Sequence, residues 1–267
     1  MLERLLKHRS SVAEFTESRP LQSLTDAEWV KLKNMTDLLK PLKAATNELG
    51  GDKYVTASVV LPMLSNLIHM YMADEDDPLY VSKFKGALRE KLELSRDTLR
   101  GNMFIKSATA LDPRFKKLKC IAQADRADVW DHLVSLLKLY LEDMSARNKV
   151  TMPEGTPRHG KRAYESSDED EELPETSSAY QTAKQAVQTY RAVNQVSEES
   201  ADPLTWWKLN GAQHPLLAML AKKHLCCPGT SVPAERLFSK AGNVVTEKRA
   251  SLLPTNANNL ICLSSWL

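Results

Sequence analysis

The chain has 267 residues, of which only 9 are glycine and 6% are aromatic. A β-sandwich or barrel needs many turns and aromatic pairs, so this composition disfavours both and favours helices. Its four cysteines include no C-x-x-C pair, which argues against a disulfide framework and the usual zinc spacings. Charges interrupt the apolar N-terminus, and no apolar run reaches the roughly 20 residues that cross a bilayer. We therefore expect a soluble protein of a reducing compartment, with no membrane partner.

The net charge of +2 is unevenly distributed along the chain. Residues 165–175 contain seven acids and no base, so the rest of the chain carries 36 bases against 27 acids. These bases are spread along predicted helix faces and form no single stripe, so DNA as a partner is only weakly supported. A short basic cluster at Arg158, His159, Lys161 and Arg162 leaves open a nuclear-localisation signal or ordinary linker charge.

Apolar residues recur at intervals of three and four through the first part of the chain. The first stripe covers residues 29–42 and begins behind a helix cap at Thr25 or Asp26. Pro41 is expected to limit the length of that helix. A nearly all-apolar helix over residues 61–71 must be buried on most sides, and further amphipathic stripes follow it.

Composition divides the chain into three parts. Residues 1–148 are predicted to form packed helices without a fixed repeat period. Residues 149–178 lose the apolar period and are rich in Pro, Ser, Thr and acids, so they cannot offset their ordering entropy. They are predicted to form a disordered acidic linker. Residues 179–267 regain the apolar pattern and are predicted to form a compact helical domain.

Eight apolar side chains of this last part are candidates for a packed core and a dimer face. Their spacing shows which of them share a helix, and it does not separate the core from an interface. The adjacent tryptophans leave two alternatives open: both rings are buried between a core and an interface, or one is in the core and one is partly exposed. The candidates are Trp206, Trp207, Leu217, Leu220, Leu237, Phe238, Leu260 and Leu263.

Glu235 is predicted to lie in the first turn of a helix that begins behind Ser231, with Pro233 near the first position. The free amides and the helix dipole favour the ionised carboxylate there. Such a group suits metal binding or plain compensation of the dipole, and the spacing alone favours the structural interpretation. The apolar residues that follow form one face of this helix, and Arg236 belongs to its solvent face.

Four segments occur in an order that is typical of one protein family. They are LDPRFKK (111–117), DPLTWWKLN (202–210), HPLLAMLAKKHL (214–225), and residues 230–267, which begin TSVPAERLFSKAG. This order resembles the C-terminal half of hAT-superfamily transposases, and most closely their domesticated zinc-finger BED-containing (ZBED) relatives. The resemblance covers nearly the whole chain, and its final block is the most specific part.

The resemblance implies a mainly α fold, with a helical insertion-type bundle and a hAT C-terminal dimerisation region as the remnant of an RNase H-like core. It implies that the chain binds itself, as a homodimer or a higher oligomer, or binds related hAT-type proteins. We therefore expect a dimerisation module of a domesticated, nuclear, ZBED-like protein. In a full-length form, this module is expected to be linked to DNA binding or transcription regulation.

The resemblance also bears on catalysis, because the transposases of the family hold two divalent metals on two Asp and one Glu. Glu235 matches the position of that Glu, whereas neither Asp nor the BED finger is matched. Asp112 and Asp202 belong to other motifs and are not assigned as ligands. Met1 is accordingly expected to be an internal start or the start of a truncated gene model.

One carboxylate does not make a two-metal site. We therefore expect no catalysis by the chain itself, a vestigial Glu235 and no cofactor, with Mg²⁺ only where a complete transposase site forms. Two alternatives stay open. The chain could contribute Glu235 to a strand-transfer site, or it could be a ZBED-type SUMO ligase, which no RING-like Cys/His array supports.

Overall fold

Helices form the regular structure of this protein. A computed structural model describes residues 1–19, 22–150, 175–197, 202–244 and 252–266, and no β-strand occurs in these ranges. The mainly α fold is confirmed, and the RNase H-like core stays an implication of the resemblance. The α-helices in chain order are α1 (Leu2–Lys7), α2 (Arg9–Glu17), α3 (Asp26–Leu49), α4 (Val60–Met70), α5 (Leu79–Leu99), α6 (Met103–Leu111), α7 (Arg126–Val150), α8 (Glu175–Ala192), α9 (Pro203–Asn210), α10 (Pro215–Leu225), α11 (Val232–Val244) and α12 (Pro254–Trp266).

Contacts between these helices group the chain into two compact units. The first unit contains residues 1–101 and 228–267, and the second contains residues 102–227. Helix α8 packs on α7 within the second unit, and the C-terminal segment belongs to the first unit with the N-terminal helices. The division at 148 and 178 stays a prediction. Most of the predicted linker, residues 151–174, lies outside the described residues. At its two edges, α7 extends to Val150 and α8 begins at Glu175.

The start of α3 is fixed by its own sequence. The Thr25 hydroxyl accepts a hydrogen bond from the Glu28 amide (3.3 Å), and the Glu28 carboxylate accepts one from the Thr25 amide (2.8 Å). This reciprocal pair satisfies two amides that the first turn leaves unpaired. The prediction that Pro41 limits the helix is wrong, because α3 continues to Leu49. One turn before the proline, the Leu38 carbonyl accepts a hydrogen bond from the Tyr71 hydroxyl, so packing against the end of α4 supports the backbone there.

The predicted core helix is α4. Six of its eleven residues are buried: Val60, Leu61, Pro62, Met63, Leu67 and Ile68. The helix contacts both α3 and α5, which explains why its apolar residues surround it and do not form one narrow stripe. Asn34 on α3 donates to the Tyr80 hydroxyl on α5 at 2.6 Å and links those two helices directly.

The second unit is built around the contact of α7 with α8. Helix α6 packs against α7 and α10, and α10 also contacts α7, α8 and α9. The centre is closely packed, because its largest side chains are fully buried: Leu111, Leu133, Leu137, Tyr190 and Leu217. Across the described ranges, no helix has both the length and the apolar character needed to cross a bilayer.

Candidate dimerisation surface

The loop before α11 attaches that helix to the first unit. The Gly229 amide donates to the Thr56 hydroxyl (2.8 Å), and the Thr230 hydroxyl donates to the Leu49 carbonyl (3.1 Å). A Cβ at Gly229 would lie 2.9 Å from the Thr56 carbonyl oxygen, so only glycine allows this close approach. Arg236 is exposed, as its predicted solvent face requires, and its guanidinium also donates to the Gly50 carbonyl. These contacts hold α11 by its first two turns.

The apolar face of α11 is largely open to solvent. At about 100° per residue, Leu237, Phe238 and Ala241 share one arc of the helix, and Arg236 lies outside that arc. Phe238 is 73% exposed and Leu237 is 36% exposed, whereas Ala241 is half-buried. Val232 and Arg236 lie on the side of α11 that faces Gly50, the residue that follows α3. Among the described residues, no helix fully covers the arc of Leu237, Phe238 and Ala241.

Helix α12 contacts α11 and carries a second exposed group of leucines. It begins at Pro254, whose fixed φ suits the first turn of a helix. Leu260 is 44% exposed and Leu263 is 50% exposed, while Ala257 and Ile261 are half-buried. We call Leu237, Phe238, Leu260 and Leu263 the C-terminal apolar set. An exposed group of large apolar side chains on two adjoining helices is typical of an interaction surface.

The other four candidate residues lie in the second unit and belong to its core. Trp207, Leu217 and Leu220 are buried, whereas Trp206 is only half-buried. Of the two alternatives for the adjacent tryptophans, the structure therefore has one ring in the core and one partly exposed. The two rings meet edge to face, with centroids 4.9 Å apart. The structure thus separates the eight candidates into core residues and surface residues, which the spacing did not do.

Two sequence motifs meet around Tyr190, a residue of α8 that was not among the candidate residues predicted from the sequence. The Trp207 indole donates to the Leu111 carbonyl at 2.8 Å, and its ring stacks on Tyr190 at 5.3 Å. The Tyr190 hydroxyl donates to the Ala110 carbonyl at 3.3 Å. The LDPRFKK and DPLTWWKLN motifs are therefore joined by packing and hydrogen bonds. We call Tyr190, Trp206, Trp207 and His214 the aromatic cluster.

Charged groups of the LDPRFKK motif are buried beside the aromatic cluster. Asp112 is fully buried and accepts two hydrogen bonds from the Arg114 side chain (Nε–Oδ1 3.0 Å, Nη2–Oδ2 2.8 Å) and one from its amide (3.0 Å). The Lys116 ammonium donates to the carbonyls of Tyr190 and Val193 at the end of α8. A cation there compensates the negative end of the helix dipole.

Burial shifts the pKa of several groups in the aromatic cluster. Loss of hydration, with the neighbouring charge of Lys117, lowers the pKa of Lys116 to about 8. Burial, with the Lys116 charge as a second cause, lowers the pKa of His214. Burial and the nearby Asp112 carboxylate raise the pKa of the Tyr190 phenol. His214 also faces Trp206 with parallel rings at 6.3 Å, so a neutral imidazole packed between aromatic rings is the form that this site stabilises.

Glu235 lies in the first turn of α11, as predicted, and its carboxylate is exposed. It accepts a hydrogen bond from the Ser231 hydroxyl, so the predicted capping residue binds the glutamate side chain. In the part of the chain that the structure describes, no three His, Cys, Asp or Glu side chains are grouped closely enough to hold a metal ion. The described residues therefore do not fit the two-metal site of a transposase. A catalytic role for Glu235 stays a prediction from the resemblance.

Asp112 and Asp202, which were not assigned as metal ligands, both have hydrogen-bond partners within the fold. Asp112 pairs with Arg114, and Asp202 is the N-cap of α9, where it accepts from the amides of Leu204 (3.4 Å) and Thr205 (2.9 Å). Each of the two carboxylates therefore stabilises local structure, as an ion-pair partner or as a helix cap.

Comparison with known proteins identifies the C-terminal part of the chain. Residues 183–267 match the hAT family C-terminal dimerisation region. This range includes Trp206, Trp207 and the whole C-terminal apolar set. The exposed surface on α11 and α12 therefore belongs to a segment whose family is named for dimerisation.

Relatives align over most of the chain. Human zinc finger BED domain-containing protein 4 is 28% identical over 90% of the chain and 20% of its own length. A Zea mays protein named after the AC transposase is 24% identical over 90% of the chain and 31% of its own length. Talaromyces stipitatus tpeD, named for transcriptional regulation, is 24% identical over 98% of the chain and 30% of its own length. The chain spans a fifth to about a third of these relatives. Its residues 183–267 match the hAT family C-terminal dimerisation region, and its sequence is similar to ZBED proteins and to hAT transposases.

Proposed function

We propose that the chain is the dimerisation module of a domesticated hAT-derived protein and that it self-associates through the C-terminal apolar set. The observation that carries this proposal is the exposure of Phe238, which is 73% accessible in a segment matched to a dimerisation region. Leu237, Leu260 and Leu263 extend the exposed apolar area over two contacting helices. A second copy of this chain, or a related hAT-type protein with the same region, is the partner that fits it.

The energetics favour burial of this set. Fully burying an exposed large apolar side chain contributes about 1.5–3 kcal/mol. The four residues are partly buried already, so each contributes in proportion to its exposed fraction, and the set acts on both chains. Part of that free energy offsets the loss of translational and rotational freedom on association. A two-fold dimer would place the same patch of each protomer in the interface, so both copies of each side chain would be buried.

The dimerisation proposal predicts that Phe238→Glu and Leu263→Glu each convert a dimer into a monomer. A carboxylate buried without a partner in an apolar interface costs several kcal/mol, and each 1.4 kcal/mol weakens association by about tenfold. We expect the dissociation constant to rise by roughly 100-fold or more. Size-exclusion chromatography with light scattering on the full chain measures the change.

Leu79→Glu is the matched control, because Leu79 is 72% exposed and lies on α5, outside the matched region. It should leave the dimer intact. Circular dichroism on all variants separates loss of folding from loss of association. A strictly monomeric wild-type chain at about tens of micromolar would contradict self-association. A dimer that persists in both glutamate variants would place the interface elsewhere.

We further propose that the longer protein to which such a module belongs acts in the nucleus, in DNA binding or transcription regulation. Support comes from the ZBED relative and from the relative named for transcriptional regulation. The basic cluster at residues 158–162 lies outside the described residues and supports this location by sequence only. Among the described residues, no feature favours the SUMO-ligase alternative.

For catalysis, we propose that the chain alone neither nicks nor joins DNA. A two-metal reaction needs several converging carboxylates, whereas Glu235 is exposed and its carboxylate accepts a hydrogen bond from the Ser231 hydroxyl. We expect supercoiled plasmid to stay intact with purified chain in Mg²⁺ or Mn²⁺. Glu235→Gln should change the free energy of unfolding by no more than about 1 kcal/mol, because a first-turn glutamate gains only that much from the helix dipole. Metal-dependent nicking that Glu235→Gln abolishes would instead support the strand-transfer alternative.

A further inference from the structure

Two adjacent cysteines end α10, and neither dimerisation nor the aromatic cluster uses them. Cys226 is the C-cap residue of α10 and is exposed, and Cys227 is half-buried. Both thiols donate to one acceptor, the Lys223 carbonyl, with sulfur–oxygen distances of 3.4 Å and 3.5 Å. Two sulfur atoms that share one oxygen lie on the same side of the chain. They are therefore placed to bind a single atom together.

We propose that Cys226 and Cys227 form a chelating dithiol that captures thiophilic trivalent arsenicals of the type R–As=O. In the reaction, each sulfur forms one bond to arsenic, the arsenic–oxygen bond breaks, and the two thiol protons leave with the oxygen as one water molecule. Arsenic stays trivalent and both sulfurs keep their oxidation state, so no oxidant or reductant is required. The proposal is independent of the dimerisation surface.

Local backbone structure suits this ring closure. Helix α10 ends at Leu225, so a bridge between residues 226 and 227 breaks no hydrogen bond inside the helix. Pro228 follows and has no amide hydrogen to lose. The exposure of Cys226 gives a reagent direct access to the first sulfur. When the two sulfur–arsenic bonds form, the weak hydrogen bonds from the thiols to the Lys223 carbonyl are lost.

Other chemistry of a cysteine pair is less favourable here. Adjacent Cα atoms across a trans peptide are about 3.8 Å apart, below the roughly 4.4–6.8 Å of ordinary disulfides, so a disulfide would be strained. Zinc prefers four ligands, and no third His, Cys, Asp or Glu joins the pair among the residues described. Bidentate capture of one small thiophilic centre needs only the two sulfurs that are present.

The raised pKa of Cys227 disfavours single-thiol chemistry at that sulfur. Partial burial and the neighbouring Cys226 thiol raise the pKa of Cys227. Alkylation and peroxide oxidation need the thiolate, so they are slow at a thiol of raised pKa. Condensation with an arsenoxide uses the thiol protons to form water, so protonated thiols do not oppose it. Cys227 should therefore react more readily in a dithiol condensation than with a reagent for single thiols.

The test uses the reduced full chain with phenylarsine oxide and intact-mass measurement. We expect one adduct whose mass equals one phenylarsenic group less two hydrogens. Cys226→Ser and Cys227→Ser should each bind about 10²–10⁴-fold more weakly, because the second thiol no longer acts at high effective concentration. Cys120→Ser and Cys262→Ser are the matched controls and should bind like the wild type.

Two further measurements keep the outcome independent of variant folding. In the wild-type chain, the adduct should be found on the tryptic peptide 224–236, which contains both cysteines, and 1,2-ethanedithiol should remove it where a monothiol does not. Circular dichroism checks that the serine variants are folded. The proposal would be overturned if Cys226→Ser or Cys227→Ser bound phenylarsine oxide as tightly as the wild type, or if the adduct were found on another peptide.

Discussion

Replacing Trp207 by alanine is expected to destabilise the second unit by about 3–5 kcal/mol, the usual cost of deleting a buried large aromatic side chain. The ring is buried and stacks on Tyr190, and its indole nitrogen donates to the Leu111 carbonyl at 2.8 Å. The substitution leaves a cavity in the aromatic cluster and a buried carbonyl without this donor. Urea unfolding followed by circular dichroism measures the change in the free energy of unfolding.

Leu209→Ala is the matched control for this experiment, since Leu209 lies on the same helix, two residues further along, and is 74% exposed. It should change stability by no more than about 0.5 kcal/mol. Trp206→Ala should have an intermediate effect, because that ring is half-buried. Equal effects of Trp206→Ala and Trp207→Ala would contradict the assignment of only one ring to the core.

Asp112→Ala is the second substitution for which we expect a large loss of stability, about 3–5 kcal/mol, the range for breaking a buried ion pair from one side. Asp112 is fully buried, and the Arg114 side chain that it binds is 17% exposed. Without the carboxylate, the guanidinium loses a bidentate partner in a site with little water. Urea titration of the free energy of unfolding again provides the measurement.

A double-mutant cycle tests whether the loss comes from this pair. Arg114→Ala and the double variant Asp112→Ala/Arg114→Ala complete the cycle, and the double variant should be less destabilised than the sum of the two single variants. Residues in direct contact typically show about 0.5–3 kcal/mol of coupling. Simple additivity would mean that Asp112 stabilises the fold through its other neighbours.

The sequence predicted local features of the fold reliably, because neighbouring residues decide them. The stripe over residues 29–42 and the cap at Thr25 are confirmed by α3, and the apolar run near residues 61–71 is the buried helix α4. Capping needs only an oxygen side chain and the first free amides of a helix. The prediction that Pro41 limits this helix was wrong because it considered local sequence only. In the structure, Tyr71 at the end of α4 supports the α3 backbone near the proline.

Local sequence patterns did not separate the core residues of the candidate site from its surface residues. The apolar period placed Leu237 and Phe238 on one face of a helix, as it did for Leu217 and Leu220, and the four residues are of similar hydrophobicity. In the structure, Leu217 and Leu220 are core residues while Phe238 is exposed. Tyr190, at the centre of the aromatic cluster, was not assigned to any site, because its partners Leu111 and Trp207 are far from it in the chain.

By itself, the sequence determined the helical class, the start of the first long helix at Thr25 or Asp26, and the motifs that resemble the hAT family. The tertiary structure decided that the eight candidate side chains divide between a core and a surface, and that Asp112 and Asp202 have structural partners. The physical reason is that helical periodicity depends on a residue's neighbours in the chain. Burial depends on which distant helix covers that face, and for the C-terminal apolar set no helix among the described residues covers it fully.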